Sequence, residues 1–333
     1  MTARTTAPLV TRVSRADAAA VGDAVHCLKA GGLVAFPTET VYGLGADAGN
    51  ALAIARLYDA KGRPAFNPLI AHVTDAQAAR ALARFDADAA KLAAAFWPGP
   101  LTLVLPKADG GPVADLATAG LDSIAVRVPH HAVAQKILAA FGRPIAAPSA
   151  NRSGHVSPTT AAHVLADLRG RIELIVDGGA TLVGVESTIV ACLGEPMLLR
   201  PGGVPREAIE TVLGHPLATS PLEAAAADDM PLAPGMLASH YAPRTPMRLD
   251  ACGVAADESL LAFGMPLAEG AAHAKLVLNL SERGDLIEAA ANLFSHLRAL
   301  DTSGTTCIAV MPISHGGLGE AINDRLKRAA APR

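Results

Sequence analysis

Short apolar runs alternate with longer segments of helical composition through the first two thirds of the chain. The apolar runs are bounded by proline, glycine or polar residues and predict buried strands at 33–36, 68–73, 101–105, 123–128, 144–147, 174–176, 187–191 and 197–199. Alanine- and leucine-rich segments predict helices at 16–30, 51–60, 75–84, 88–96, 131–141, 159–168 and 205–213. Because several strands follow one another directly, we expect an α/β fold with a twisted mixed sheet and flanking helices.

The pattern changes after residue 213. Residues 214–246 are rich in proline, alanine and aspartate, lack a sustained apolar period, and predict a linker. Beyond the linker, predicted strands at 260–263, 275–279 and 307–312 alternate with predicted helices at 285–300 and 318–330. The sequence therefore predicts a larger domain over 9–213 and a small Rossmann-like domain over 247–333.

Composition excludes several classes of protein. The 333 residues are 51% hydrophobic and 18% charged, which is enough for a large core and two domains. A net charge of −3 and an aromatic content of 3% argue against a protein that mainly binds polyanions or stacks bases. Neither a signal peptide nor a membrane-length apolar stretch is evident, so we expect a cytoplasmic protein that does not contact membranes.

The four cysteines carry no recognisable redox or metal motif. Cys27, Cys192, Cys252 and Cys307 are widely separated and form no Cys-x-x-Cys pair. We therefore expect reduced, mostly buried thiols.

Two short segments indicate a nucleotide site. Lys61-Gly62-Arg63-Pro64 is followed by Asn67, and Pro148-Ser149-Ala150-Asn151 is followed by Ser153. Each combines a constrained backbone with groups that bind phosphate, although each is also compatible with a plain helix end or strand exit. The segment 43–49 has its third glycine one position away from that of the dinucleotide-binding fingerprint Gly-x-Gly-x-x-Gly. The chain contains no P-loop motif. ATP would therefore be bound by side-chain cations and turns.

Seven motifs occur in the order typical of one family. They are Pro37-Thr38-Glu39-Thr40-Val41-Tyr42-Gly43-Leu44, Lys61-Gly62-Arg63-Pro64, Asn67-Pro68-Leu69, Arg127-Val128-Pro129, Ser149-Ala150-Asn151, Glu186-Ser187-Thr188 and Arg200-Pro201-Gly202. Together they resemble the YrdC/Sua5 family, and the resemblance to its longer, two-domain Sua5 type extends over essentially the whole chain.

The resemblance implies a nucleotidyltransferase. Members combine L-threonine, bicarbonate and ATP, with Mg²⁺, into L-threonylcarbamoyladenylate and pyrophosphate. The product feeds the t6A37 modification of tRNA through a tRNA threonylcarbamoyl transferase complex. Such a transfer depends mainly on positioning and on cations that match the phosphate charge.

The resemblance also assigns residues. Lys61 and Arg63 would carry the catalytic charge, and ATP would be bound by Arg63, Asn67, Ser123, Ser149, Asn151, Ser157, Arg200 and His240. L-threonine would be bound by Thr40, His72, Arg127, Ala147 and Ser187, with its carboxylate on Arg127. We expect no direct protein ligand to a metal and no organic cofactor. The segment His240-Tyr241-Ala242-Pro243 would fold over the nucleotide as a lid that excludes water.

Some alternatives remain open at this stage. His72 lies in an apolar run and is either a core residue or a group that helps deprotonate the amine. Glu39 is otherwise a solvated turn residue, Arg127 a helix-capping partner and Arg200 a surface charge. The fold is also compatible with an RNA-binding or ribosome-maturation module, and weak tRNA binding would accompany either function. Carbamoyl transfer of the hydrogenase-maturation type is disfavoured because the chain lacks the cysteine clusters of those proteins.

Overall fold

Two β-sheets organise residues 9–218 and 241–331, the parts of the chain that this computed structural model describes. The larger sheet has ten strands in the order β1-β8-β2-β3-β7-β4-β6-β5-β9-β10. Its strands are β1 (Arg12–Arg15), β2 (Val34–Pro37), β3 (Tyr42–Asp47), β4 (Ile70–His72), β5 (Leu101–Pro106), β6 (Ser123–Arg127), β7 (Ile145–Ala146), β8 (Leu174–Asp177), β9 (Thr188–Ala191) and β10 (Met197–Arg200). Parallel pairs such as β4 with β6 and antiparallel pairs such as β5 with β6 confirm the predicted mixed sheet.

Helices cover both faces of this sheet. They are α1 (Ala18–Lys29), α2 (Ala51–Lys61), α3 (Ala76–Arg80), α4 (Ala87–Phe96), α5 (Ala132–Phe141), α6 (Ala161–Leu168) and α7 (Arg206–Leu213). On one face α1 and α5 bury an apolar cluster against β2 and β8, with Phe36 in its centre. The larger cluster on the other face includes side chains of α2, α4, α6 and α7. Alternate residues of β2 belong to the two clusters, as expected for a strand buried on both faces.

Two strands of the large sheet are missing from the sequence-based prediction. β1 is a polar, largely exposed edge strand, Arg-Val-Ser-Arg, so it carries no apolar alternation. β3 contains two glycines, which weaken the strand signal. Gly45 is needed there because a Cβ atom would lie 2.7 Å from Phe36 Cε1 and 3.0 Å from Ile145 Cγ2. The glycines thus reflect close packing across the sheet.

Two further expectations are corrected. The predicted helix 75–84 is wrong at its C-terminal end, because α3 ends at Arg80. Beyond it, Ala83 pairs with Lys107, and the amide of Arg84 donates to the carbonyl of Pro106 at 2.9 Å. All four thiols are free, but only Cys192 is buried, and Cys252 is exposed. The expectation of mostly buried cysteines is therefore wrong.

The second sheet lies entirely in the C-terminal part of the chain. It contains β11 (Met247–Arg248), β12 (Ser259–Ala262), β13 (Val277–Asn279) and β14 (Ile308–Val310) in the order β11-β14-β12-β13, with all neighbours parallel. Helices α8 (Leu286–Asp301) and α9 (Leu318–Ala330) complete the predicted Rossmann-like unit. Within the described ranges no helix combines the length and apolar character needed to cross a membrane.

The two sheets share a buried interface. Val41, Val156 and Val185 from the large-sheet region lie in one apolar cluster with Phe294 and other side chains of α8 and α9. Polar contacts surround this cluster, and Arg298 donates to Asp167 at 2.9 Å while Thr159 hydrogen-bonds Ser295 at 2.9 Å. The loop before β9 is therefore fixed by the C-terminal helices.

Gly184 offers a test of this interface. A Cβ atom on Gly184 would lie 2.2 Å from the carbonyl oxygen of Ala290 and 2.4 Å from Cα of Ala291, both on α8. Gly179 has a similar φ of +86° but nothing within 4 Å of an added Cβ. We expect Gly184→Ala to lower the free energy of unfolding by about 2 kcal/mol more than Gly179→Ala, measured by urea denaturation. Equal losses would contradict this close packing.

Candidate active site

A tight hairpin between β2 and β3 presents the first motif. Thr38 stabilises the turn, with its Oγ1 donating to the carbonyl of Val41 at 2.7 Å and hydrogen-bonding Thr40 Oγ1 at 2.8 Å. Glu39 is only 5% exposed, so its interpretation as a solvated turn residue is wrong. Its Oε1 accepts from Nη2 of Arg127 at 2.6 Å, and its Oε2 accepts from the amide of His130 at 3.0 Å.

Arg127 ends β6 directly beside this hairpin. It also donates from Nη1 to Thr40 Oγ1 at 3.0 Å and from Nε to the carbonyl of Gly99 at 3.3 Å. These contacts use three of its five N–H groups and hold the guanidinium rigidly. One N–H group on each terminal nitrogen remains for a ligand, and a carboxylate is the usual partner of such a pair.

The end of α2 places Lys61 and Arg63 in different environments. Helix α2 ends at Lys61 because Gly62 adopts the left-handed conformation, with φ of +60°. The Lys61 ammonium is buried and donates to the carbonyls of Ser149 at 2.6 Å and Asn151 at 2.5 Å. Burial, and then the charge of Arg63, holds the pKa of Lys61 well below its usual range. Lys61 thus ties the two nucleotide motifs together.

Arg63 is held by backbone carbonyls and has no carboxylate partner among the described residues. Its Nε donates to the carbonyl of Asn67 at 3.3 Å, and its Nη2 donates to that of Pro68 at 3.1 Å. Burial lowers the pKa of Arg63 to about 10, so the guanidinium is charged at neutral pH. Because only neutral groups hold this guanidinium, its positive charge is not balanced by a carboxylate and can attract an anionic ligand.

Arg200, at the end of β10, is held against the loop that precedes β9. Its Nη2 donates to the carbonyl and the Oγ of Ser187, at 2.9 and 3.3 Å, and its Nε donates to the same carbonyl at 3.2 Å. Ser187 Oγ also hydrogen-bonds Thr102 at 2.8 Å. Close packing enforces this arrangement, since a Cβ on Gly202 would lie 2.4 Å from the carbonyl oxygen of Glu186.

These elements meet around one small cavity. Its lining consists of Thr40, Val41, Arg63, Ile70, His72, Arg127, Ala147, Pro148, Ser149, Glu186, Ser187, Arg200 and Tyr241. The structure therefore brings together eight predicted site residues from both substrate groups, namely Thr40, Arg63, His72, Arg127, Ala147, Ser149, Ser187 and Arg200. Three arginines against one glutamate make the cavity electropositive.

Five other predicted residues do not line this cavity. They are Lys61, Asn67, Ser123, Asn151 and Ser157. Ser157 is fully buried and donates to Glu186 Oε1. Ser123 begins β6 whereas Arg127 ends it, which separates them by about 13 Å along an extended strand. His240 lies outside the described residues, so its position near the nucleotide stays a prediction.

Three polar atoms of two buried asparagines lack hydrogen-bond partners among the described residues. Both side-chain atoms of Asn67 are unpartnered, as is Oδ1 of Asn151, and these residues are 1% and 0% exposed. Leaving such a group unpaired costs about 1–3 kcal/mol each. Buried polar atoms without protein partners are suited to bind a ligand or ordered water.

His72 is held neutral. Burial, and then the charge of Arg127, lowers the pKa of His72 to about 3, and its Nδ1 lies 3.2 Å from the carbonyl of Ile70. A base with so low a pKa takes up a proton poorly at neutral pH. His72 therefore fits a core residue that borders the cavity better than a group that deprotonates the amine.

This neutral histidine makes stability depend on pH. His72 has a pKa of about 6.5 in the unfolded chain and about 3 in the folded protein. Between these pH values the unfolded chain binds a proton that the folded protein does not, so the free energy of unfolding decreases as the pH falls. Between pH 7 and pH 5, we expect the free energy of unfolding to decrease by about 2 kcal/mol more in the wild type than in His72→Gln. Urea denaturation at both pH values measures the difference, and parallel pH dependences would contradict it.

Sequence reasoning missed several residues at this site. Glu186 and Tyr241 both line the cavity, but the sequence analysis assigns neither of them a role. Glu186 belongs to one of the seven family motifs, and Tyr241 to the segment predicted to form a lid. Arg325 of α9 is fully buried and donates from Nε to Glu186 Oε2 at 2.8 Å. The motif around Glu186 was a usable signal. Nothing in the sequence around Arg325 indicated this contact.

Models of known protein families match both parts of the chain. The family model for Sua5, YciO and YrdC, described as "Telomere recombination", matches residues 26–202. The chain belongs to this family. A further model, described as "Threonylcarbamoyl-AMP synthase, C-terminal domain", matches residues 204–331. The two matches correspond to the two sheets of the fold.

Relatives of the family are similar over nearly their whole length. A threonylcarbamoyl-AMP synthase of Pyrococcus abyssi is 43% identical over 320 residues, which cover 92% of both chains. One of Bacillus subtilis is 41% identical over 327 residues, covering 94% of this chain and 93% of that protein. The crystal structure of P. abyssi Sua5 complexed with L-threonine matches with a TM-score of 0.85 at 40% identity, over 97% of each chain.

Proposed function

We propose that this protein is a threonylcarbamoyl-AMP synthase. It makes L-threonylcarbamoyladenylate and pyrophosphate from L-threonine, bicarbonate and ATP, for the t6A37 modification of tRNA by a downstream threonylcarbamoyl transferase complex. The observation that carries the proposal is the single cavity in which Arg127 and Thr40 meet Arg63, Ser149 and Arg200. Whole-length similarity to proteins of that name supports it.

Threonine fits the side of the cavity formed by the hairpin and β6. Its carboxylate would accept hydrogen bonds from the two remaining N–H groups of Arg127. Glu39, Thr40 and Gly99 hold the guanidinium in place for this contact. Ala147 and Ile70 supply apolar contacts for the methyl group, and neutral His72 adds no competing charge. The similar P. abyssi protein was crystallised with L-threonine, which supports this assignment.

ATP fits the side that carries Arg63, Ser149 and Arg200. In adenylyl transfer a carbamate oxygen of carboxylated threonine forms a bond to the α-phosphorus, and the bond from that phosphorus to the pyrophosphate oxygen breaks. The protein contributes mainly alignment and positive charge, which Arg63 and Arg200 supply. The unpartnered Nδ2 and Oδ1 of Asn67 are available for base, ribose or phosphate, and the unpartnered Oδ1 of Asn151 can accept from base or ribose.

Mg²⁺ is proposed to enter together with ATP. Among the described residues no group of three or more histidine, cysteine, aspartate or glutamate side chains could hold a metal ion. Both oxygens of Glu186, the carboxylate of the cavity lining, are already used by Ser157 and Arg325. Mg²⁺ commonly takes most of its ligands from phosphate oxygens and water, so these residues fit an ion carried by the triphosphate, where it would neutralise phosphate charge.

Product formation from defined substrates tests the function. Purified protein is incubated with labelled ATP, Mg²⁺, bicarbonate and L-threonine, and pyrophosphate and the adenylate are separated by rapid chromatography. We expect an adenylate that requires both threonine and bicarbonate. Tight ATP binding without turnover would contradict the synthase and favour a binding module instead.

A further inference from the structure

Arg325 connects the C-terminal domain to the cavity. It lies on α9, is fully buried, and donates from Nε to Glu186 Oε2 at 2.8 Å and from Nη1 to Asp324 Oδ2 at 2.5 Å. Glu186 belongs to the large-sheet region and lines the cavity. A cation of one domain is therefore paired, without solvent exposure, with a carboxylate of the other.

Glu186 needs such a partner because of its surroundings. A carboxylate at the wall of a cavity for a triphosphate would repel the ligand unless its charge were balanced. Burial raises the pKa of Glu186, but the charges of Arg325 and Arg200 outweigh this effect and the net pKa is lowered. Glu186 is thus ionised, and Ser157 and Arg325 each occupy one of its oxygens.

Glu186 is also close to a proposed phosphate-binding arginine. Ser187, the next residue, accepts three hydrogen bonds from Arg200 through its carbonyl and hydroxyl oxygens. A shift of Glu186 would displace Ser187 and with it the guanidinium of Arg200. The ion pair between Arg325 and Glu186 therefore influences the position of Arg200 on the ATP side of the cavity.

Arg325 holds a second element of the cavity wall. Its guanidinium carbon lies 5.1 Å from the ring centroid of Tyr241, and the same ring stacks on Phe294 of α8, with the ring centroids 5.7 Å apart and an interplanar angle of 26°. Tyr241 adopts a φ of +63°, uncommon for tyrosine, so its backbone is constrained by its neighbours. Arg325 and Phe294 together hold Tyr241, a residue of the cavity lining.

We propose that Arg325 is a positioning residue of the synthase: it balances Glu186 and fixes Tyr241, so that the C-terminal domain completes the ATP side of the cavity. The proposal rests on the proposed function. It gives α9 a part in the reaction in addition to its packing against the large-sheet region.

The test measures ATP affinity in an Arg325 variant and asks whether a second substitution, at Glu186, restores it. We expect Arg325→Met to raise the KM and the equilibrium Kd for ATP about 10- to 100-fold, with a much smaller change in the KM for threonine. Adding Glu186→Gln to Arg325→Met is expected to recover at least about fivefold of the ATP affinity, because it removes the unbalanced carboxylate. Both variants are compared at a temperature where urea denaturation shows them fully folded, so that recovered stability alone does not account for recovered ATP affinity.

Glu320→Gln is the matched control. Glu320 also lies on α9 and pairs across the domain interface, with Arg206, but neither residue lines the cavity. We expect an unchanged KM for ATP in this variant. Arg325→Lys, which retains the charge but not the planar guanidinium, provides a second test if Arg325→Met does not fold, and is expected to weaken ATP binding less than about tenfold.

The outcomes separate the two proposals. A wild type that binds ATP without making the adenylate would contradict the function, whereas the equilibrium ATP measurements would still decide the role of Arg325. An active wild type together with unchanged ATP affinity in folded Arg325→Met would overturn the positioning role. Loss of affinity in Glu320→Gln to the same extent would also overturn it, because any break of the interface would then suffice.

Discussion

Arg127→Met is expected to abolish threonine-dependent turnover and to destabilise the protein. The substitution leaves the buried Glu39 carboxylate, 5% exposed, without its cation and with the amide of His130 as its remaining hydrogen-bond donor. Removing one member of a buried ion pair costs about 3–5 kcal/mol. Loss of the fork that would bind the threonine carboxylate is expected to reduce kcat/KM for threonine by about a hundred- to a thousandfold. Urea denaturation and steady-state kinetics measure the two effects.

A second substitution separates stability from activity. In Arg127→Met/Glu39→Gln the buried charge is gone, while the glutamine oxygen can still accept from His130. We expect most of the stability to return and the activity to remain lost. Arg84→Met is the control, because Arg84 pairs with Asp109 at 3.4 Å while both side chains are largely exposed. It should cost less than about 1 kcal/mol and leave turnover intact. Recovery of activity in the double variant would show that threonine does not need Arg127.

The strand ends and helix ends that carry the motifs could be predicted from the sequence. Gly62 predicts the end of α2, and the structure has it in the left-handed conformation immediately after Lys61. Arg127 follows an apolar strand, and β6 does end at Arg127. Such local features depend on neighbouring residues, so a single sequence contains the information needed to predict them.

Pairings between distant segments could not be predicted. Glu39 follows a strand in a polar turn, where a carboxylate is usually solvated, and only the adjacency of the hairpin to β6 buries it against Arg127. Arg325 lies on an amphipathic helix, and it pairs with a residue 139 positions earlier only because α9 packs against the large-sheet region. Helical periodicity predicts that such a position is buried, but it does not identify its partner.

Arg63→Ala is expected to impair the ATP side without affecting threonine binding. Arg63 lines the cavity and is held by two backbone carbonyls, so its charge is available to phosphate. We expect its loss to lower kcat/KM for ATP by about a hundred- to a thousandfold, with an unchanged Kd for threonine in calorimetry. Arg56→Ala is the control, since Arg56 lies on α2, the helix that precedes Arg63, is half exposed and pairs with Glu173. It should retain wild-type kinetics.

Lys61→Met should differ from Arg63→Ala, although the two residues were assigned the same catalytic role from sequence. The Lys61 ammonium bonds the carbonyls of Ser149 and Asn151 and does not line the cavity. We therefore expect Lys61→Met to lower the free energy of unfolding by about 2–3 kcal/mol and to raise the KM for ATP through the displaced loop. If Lys61→Met instead kept its stability and ATP affinity but lost turnover, the ammonium would act on the reacting groups. In that case the two carbonyl contacts would have to break when ATP binds.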